Sequence, residues 1–212
     1  MALPACVLCG VRDTLFFHRD KQREFWRCQG CMLVFALPQF YLAPEAERQQ
    51  YDLHQNSGSD EGYCQFLQRL AIPLMQRLNA GAEGLDFGCG PAPVLAGMFK
   101  DSGLNVRVFD KFYARDDSVW NNSFDFISAT EVLEHLHSPG IELARLWSHL
   151  RKDGYLAVMT KLVIDQDAFA RWHYKNDPTH ICFFSRNTFL WWAEKHQAKI
   201  EFIGSDVIFL RK

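Results

Sequence analysis

The chain has 212 residues, 48% of them hydrophobic and 23% charged, which excludes wholesale disorder and leaves room for one ordinary domain with a small appendage. Lys plus Arg is 23 and Asp plus Glu is 25, so the formal charge of -2 excludes a global basic field for nucleic acid. No apolar run approaches the ~20 residues of a membrane span, so no membrane partner is expected. "MALPACVLCG" has neither a basic n-region nor a long apolar h-region, so a cytoplasmic chain is expected.

In that reducing compartment the seven cysteines are not expected to form a disulfide framework. Four of them, Cys6, Cys9, Cys28 and Cys31, stand in two CxxC steps, "CVLCG" and "CQGC", separated by residues 10–27. That spacing suits a tetrahedral zinc site, because two residues between ligands let one tight turn aim both sulfurs at one ion. Gly10 and Gly30 supply turn freedom at each knuckle. "TLFFHRD" and "REFWRC" read as a hairpin around "RDKQ", and residues 1–40 as a zinc ribbon. The alternative, a pair of thioredoxin-like redox motifs, needs a βαβ pattern that neither step has. Four cysteines leave the ion no open position, so the zinc is expected to be structural and to supply folding free energy to a small lobe.

Residues 41–83 read as a linker with N-terminal helices. Pro38, Pro44 and "NSGSD" are turn signals. "APEAERQQY" is expected to form a short helix with Pro44 in its first turn. Asp60 is placed to N-cap "EGYCQFLQRLAIPLMQRLNA", where Phe66, Leu67, Leu70, Leu74, Met75 and Leu78 make an apolar stripe and Pro73 a kink.

Residues 84–212 alternate strands with helices. "GLDFG", "LNVRVFD", "SFDFISAT" and "YLAVMT" are strands, "PAPVLAGMFKDSG" and "SRNTFLWWAEKH" helices, and "AKIEFIG" with "DVIFL" a final hairpin. "EVLEHLHSPGIELARLWSHLRKDG" reads as two helical pieces broken at Pro139-Gly140. The fold class expected is α/β, a Rossmann-like, doubly wound, mainly parallel sheet with a small four-cysteine lobe, binding its ligand at the carboxyl ends of the strands.

"DFGCGPAP" follows the first of these strands. Gly88 and Gly90 let backbone approach a ligand, and Asp110, twenty residues after Gly90, can accept the hydroxyls of a ribose. Pro91 and Pro93 lack the N–H donors that a pyrophosphate would need. S-adenosylmethionine carries no phosphate and tolerates their loss.

"LDFGCG", "VRVFD", "FDFISATEVLEHL" and "LRKDGYLAVMT" together resemble the successive motifs of class I S-adenosylmethionine-dependent methyltransferases, over roughly residues 60–212. "YKNDPTHICFFS" is similar to a "YxxDPTHxxFxS" stretch in a bacterial group of uncharacterised methyltransferases. The resemblance implies that Asp86, Gly88 and Gly90 surround the methionine moiety, Asp110 holds the ribose, and Ala129 and Thr130 lie beside the sulfonium. Only "KFYARDDSVWNN" separates Asp110 from the next strand, so a full third strand and helix do not fit, and Asp116 or Asp117 is left to meet the adenine amine.

Glu131, Glu134 and His135, at i, i+3 and i+4, are expected on one helical face. A similar stretch in ubiquinone-pathway O-methyltransferases implies a divalent cation there; the alternative is dipole-favoured charges and a polar contact. The segment "AFARWHYKNDPTHICFFS" lies where substrate lids sit on this fold. It offers His180 as a base, oriented by Asp177 or Tyr174, with His173 and His137 as further candidates. "DPTH" also suits a plain turn, and Trp172, Phe183 and Phe184 suit either a pocket or a core.

Three functions remain open. The first is methylation of a small molecule. The second is RNA methylation read through the ribbon, where Arg12, Arg19, Lys21, Arg23 and Arg27 face Asp13, Asp20 and Glu24, and Phe25 and Trp26 could stack on bases. The third is a non-catalytic ribbon interaction protein.

Overall fold

The computed structural model describes residues 3–53 and 58–212; the turn signal "NSGSD" falls partly outside them. Two sheets organise the chain. The first is antiparallel, built from β1 (Thr14–Arg19), β2 (Glu24–Cys28), β3 (Val34–Ala36) and a fourth strand, β8 (Cys182–Phe183), in the order β1-β2-β3-β8. The hairpin expected around "RDKQ" is β1 and β2. The fourth strand comes from the far part of the sequence, with Val34 opposite Phe183 and Phe35 opposite Cys182.

The second sheet contains β4 (Glu83–Phe87), β5 (Asn105–Phe109), β6 (Phe124–Thr130), β7 (Leu150–Met159), β9 (Lys199–Ile203) and β10 (Val207–Arg211), in the order β5-β4-β6-β7-β10-β9. β5, β4, β6 and β7 run parallel, whereas β10 is antiparallel to both β7 and β9. Between β5 and β6 stands only a 3-10 helix, Asp117–Asn121, so β5 is the sheet edge and the outer strand of a longer doubly wound sheet is missing.

Alternation along the strands sorts the core into two faces. Phe126, Ala157 and Phe209 pack against α2 (Glu61–Met75) and α3 (Val94–Asp101). Their neighbours Ile127, Val158 and Ile208 pack against α4 (Pro139–His149) and α6 (Arg186–Lys195). Asp60 caps α2 by accepting from the Tyr63 amide at 3.1 Å. α2 stops at Met75, short of the expected end, with Pro73 withdrawing an N–H from its last turn. α1 (Pro44–Tyr51) starts on Pro44 as expected. No helix among the described residues is long and apolar enough to cross a membrane.

The four-cysteine lobe does not stand apart. Cys6, Phe25, Phe35 and Phe183 belong to the same buried cluster as Ile127, Leu146 and Ile208. Gly140 makes this docking possible, because a Cβ there would lie 2.2 Å from the Leu8 carbonyl oxygen. α5 (Gln166–Arg171) also lies on the lobe, with Phe169 edge-on to Phe17, Phe25 and Phe183.

Candidate active site

The loop after β4 is shaped by two left-handed glycines, Gly88 at φ +77° and Gly90 at φ +64°. A Cβ on Gly88 would come within 2.3 Å of Val132, so that position requires glycine on two counts. The Gly88 amide donates to the Phe109 carbonyl at 2.7 Å, and the Gly90 amide to Asp110 Oδ2 at 3.0 Å. Asp110 Oδ1 accepts the amides of Phe112 (2.8 Å) and Tyr113 (3.1 Å), which fixes the carboxylate at the end of β5 and leaves acceptor capacity on Oδ2.

Asp86 and Ala129 lie beneath this loop, buried in β4 and β6, and do not line the cavity. Burial raises the Asp86 carboxyl to about 6, although Ser128 Oγ donates to it at 2.8 Å. Thr130 does reach the cavity, and its Oγ1 is buried without a partner among the described residues. Asp117 lines the cavity as well, whereas Asp116 caps its own turn by accepting from the Ser118 amide at 2.9 Å.

This cavity of about 970 Å³ is lined by Gly88, Gly90, Asp110 and Thr130 and equally by His137, His173 and His180. Tyr51 from α1 and Tyr63 from α2 also line it. Sequence reasoning missed both, because nothing local says that these helices cover the strand ends.

The stretch after β6 is not the expected helix. Glu131 is left-handed at φ +51°, and only a three-residue 3-10 turn, Leu133–His135, follows. Glu131, Glu134 and His135 therefore share no helical face. Glu131 and Glu134 meet instead at Tyr174, whose hydroxyl contacts Glu131 Oε2 at 3.1 Å and Glu134 Oε1 more closely. Thr160 Oγ1 donates to Glu134 Oε2 at 3.0 Å. Burial pushes the Glu131 carboxyl up, and burial with the neighbouring Glu131 pushes Glu134 up as well.

His135 and His180 stand with ring centroids 4.6 Å apart. His135 Nδ1 lies 3.2 Å from the Thr179 carbonyl and His180 Nδ1 2.7 Å from the Tyr174 carbonyl. A carbonyl only accepts, so each Nδ1 carries a proton. Burial and the nearby His180 hold His135 down at about 3. His180 Nε2 is 3.8 Å from Asp177 Oδ2. Burial works to raise Asp177, but the Thr179 hydroxyl and amide outweigh it and hold the carboxyl below its usual value.

The other expected residues are placed differently. His173 is exposed at the cavity rim. His137 is half-exposed, tilted 4.6 Å from the Tyr41 ring, and burial lowers its pKa. Trp172, Phe183 and Phe184 do not line the cavity: Phe183 is core against Phe25 and Phe169, and Phe184 stacks on Phe189.

Two groups of side chains have the donor sets of metal sites. Cys6, Cys9, Cys28 and Cys31 bring their sulfurs within 4.8 Å of one another, with Cys6–Cys31 and Cys9–Cys28 at 3.5 Å. Glu134, His135 and His180 also each bring one ligand atom within 4.8 Å; Glu131 is outside that group and His180 takes its place. At the cysteine knuckles the left-handed residues are Gly10 (φ +77°) and Met32 (φ +62°), each directly after a knuckle's second cysteine; Gly30 is not left-handed.

A doubly wound sheet, a glycine loop without phosphate donors and an acid at the end of the next strand define an S-adenosylmethionine-dependent methyltransferase. Residues 53–201 match the family model described as a methyltransferase domain, and the chain belongs to that family. No curated protein matches the sequence. Among solved structures, it is similar to an S-adenosylmethionine-dependent methyltransferase from Archaeoglobus fulgidus, at 15% identity over 78% of this chain and 99% of that one, with a TM-score of 0.56. It is also similar to the plantazolicin methyltransferase BpumL, at 12% identity over 79% and 89% of the two chains, with a TM-score of 0.50. The 1,6-didemethyltoxoflavin-N1-methyltransferase of Burkholderia thailandensis aligns over 92% of this chain and 97% of its own, at 14% identity and a TM-score of 0.48. At these identities the likeness is one of fold.

Proposed function

We propose that this methyltransferase acts on a small molecule and that His180 takes the acceptor's proton. The observation that carries the reading is the shared cavity: the glycine loop and Asp110 open onto the same space as His180. When bound, S-adenosylmethionine supplies an electrophilic methyl group and departs as S-adenosylhomocysteine. In this reading the Gly88 and Gly90 backbone, with Asp86 beneath, surrounds the methionine moiety, Asp110 accepts from the ribose, and Thr130 lies beside the sulfonium, with Ala129 buried behind it. Asp117, which lines the cavity, is the acid that meets the adenine amine in this reading. In the neutral imidazole His180 Nε2 is the atom that takes the proton, because the Tyr174 carbonyl keeps the Nδ1 proton in place. His173 and His137 are secondary candidates at the rim.

His180→Ala should slow transfer of label from methyl-labelled S-adenosylmethionine into a small-molecule cell extract by ~100-fold or more, at unchanged S-adenosylhomocysteine affinity. Wild-type transfer by that variant would remove His180 from the role. Labelled RNA instead of small molecules would favour the RNA reading, and binding without any transfer the non-catalytic one. Two placements already weigh against RNA: Arg23 is only 6% exposed and Phe25 is fully buried, so neither offers itself to phosphate or base.

A divalent cation is a second reading of the same site, favoured by the grouping of Glu134, His135 and His180. Both imidazoles have Nδ1 tied to a backbone carbonyl, the arrangement that orients metal-ligating histidines. Such an ion would polarise an acceptor hydroxyl. We further read the four-cysteine cluster as a structural zinc site, since 3.5 Å between paired sulfurs is close to the ~3.8 Å that a tetrahedral Zn–S₄ centre requires. Residues 1–40 are then its lobe, 41–83 the connecting helices and 84–212 the cofactor domain, in a chain suited to the reducing cytoplasm.

A further inference from the structure

Arg23, at the end of the β1–β2 turn, is a buried cation whose main partners lie more than 150 residues away in sequence. Its Nη1 donates to the carbonyls of His180 (3.0 Å), Asp177 (3.2 Å) and Pro178 (3.4 Å), and its Nη2 to that of Lys175. One guanidinium thus gathers four carbonyls from a six-residue segment. Asp20, in the same turn, aims it: Oδ1 accepts the Arg23 amide at 2.7 Å and Oδ2 lies 3.8 Å from Nε.

The gathered segment is the one that fixes the paired imidazoles of His135 and His180. The Tyr174 carbonyl, one residue before it, fixes His180, and the Thr179 carbonyl, inside it, fixes His135. On its other side the segment is tied down by the Ile181 amide donating to the Glu134 carbonyl and the Ala36 amide to the Ile181 carbonyl, both at 2.8 Å. A planar fork with five donors can serve all four carbonyls at once; an ammonium is a compact point charge with three donors, one short.

We infer that Arg23 is a positioning residue for methyl transfer: through it the four-cysteine lobe sets where the 174–181 segment, and with it His180 and His135, stands over the cavity. This rests on the reading of that cavity as the methyl-transfer site. It gives the lobe a part in the reaction without contact to substrate. A shift of about 1 Å in the segment would misplace both imidazoles, an error that costs ~100-fold in rate.

The test uses the full chain with Arg23→Ala, Arg23→Lys and, as control, Arg19→Ala, an exposed arginine of the same hairpin. Three quantities are read: amide hydrogen exchange across 174–182, S-adenosylhomocysteine affinity by calorimetry, and label transfer from S-adenosylmethionine into a small-molecule extract. Arg23→Ala should speed exchange in that segment at least ~10-fold and slow saturated transfer ~100-fold, with affinity within ~3-fold of wild type. Arg23→Lys should recover part of both effects, and Arg19→Ala should change neither. A folded Arg23→Ala with wild-type exchange across 174–182, or with affinity and transfer falling in equal proportion, would overturn the proposal. If Arg23→Ala does not fold, Arg23→Lys decides, and wild-type exchange in it is the overturning result. If the wild-type chain transfers no label, the small-molecule reading fails, while exchange and affinity still judge Arg23.

Discussion

Asp86 has a buried carboxyl on the central strand β4, where its residue stands in register with Val108 on one side and Ser128 on the other. Its folded pKa of about 6 stands above the 3.8 of a free carboxyl because burial disfavours the charge. The sign follows: the folded state holds the proton more tightly, so this stabilisation is complete below pH ~4 and is lost as the pH rises through about 6. The displacement corresponds to about 3 kcal/mol. Asp86→Asn should remove that part of the decline, so urea unfolding of the cofactor-free chain at pH 4 to 8 should show a flatter profile than wild type; parallel profiles would refute the assignment. At this scale the spacing from the glycine loop to Asp110 was legible, because a strand and a turn fix it locally. The Glu131, Glu134 and His135 geometry was not. A left-handed conformation at a non-glycine residue leaves no mark in the sequence, and Glu131 adopts one.

Most elements could be read from their own residues: the β1–β2 hairpin, the cap on α2, helix α6, and the β9–β10 hairpin. What escaped was pairing between distant elements. β8 is two residues long and carries no strand pattern of its own, yet it completes the first sheet. Gly140 seemed a helix break and is instead a contact, leaving space at the start of α4 for the Leu8 carbonyl. Gly140→Ala should therefore push the first knuckle away and cost ~1–3 kcal/mol through overpacking, despite alanine's better helix propensity. For a chain of this size that is a fall of ~2–4 °C in Tm per kcal/mol. A melting temperature at or above wild type would show that the knuckle yields without cost.

In the whole molecule, the two sheets share one buried cluster, so the lobe and the cofactor domain should unfold together. Cys28→Ser, and chelation if the cysteines hold zinc as proposed, should lower a single calorimetric transition and lengthen no separate tail; an early, independent melting step would contradict the shared core. The class of the large sheet, mainly parallel with a final hairpin and without the third unit after Asp110, was readable from alternating strands and helices; the strand order came from the structure. The docking of the 161–185 segment onto the lobe was not, since it depends on aromatic contacts such as Phe17 with Phe169.

The β3–β8 pairing also bears on synthesis. The cysteines and β3 leave the ribosome early, whereas Phe183, the partner of Val34, emerges only when most of the chain has been made. Both cysteine knuckles are made long before the lobe can close. Until then β3, apolar along its whole length, is an open strand edge, the kind of surface that recruits a wrong partner. A nascent chain stalled before residue 182 should therefore depend on chaperone cover in a way that the finished protein does not.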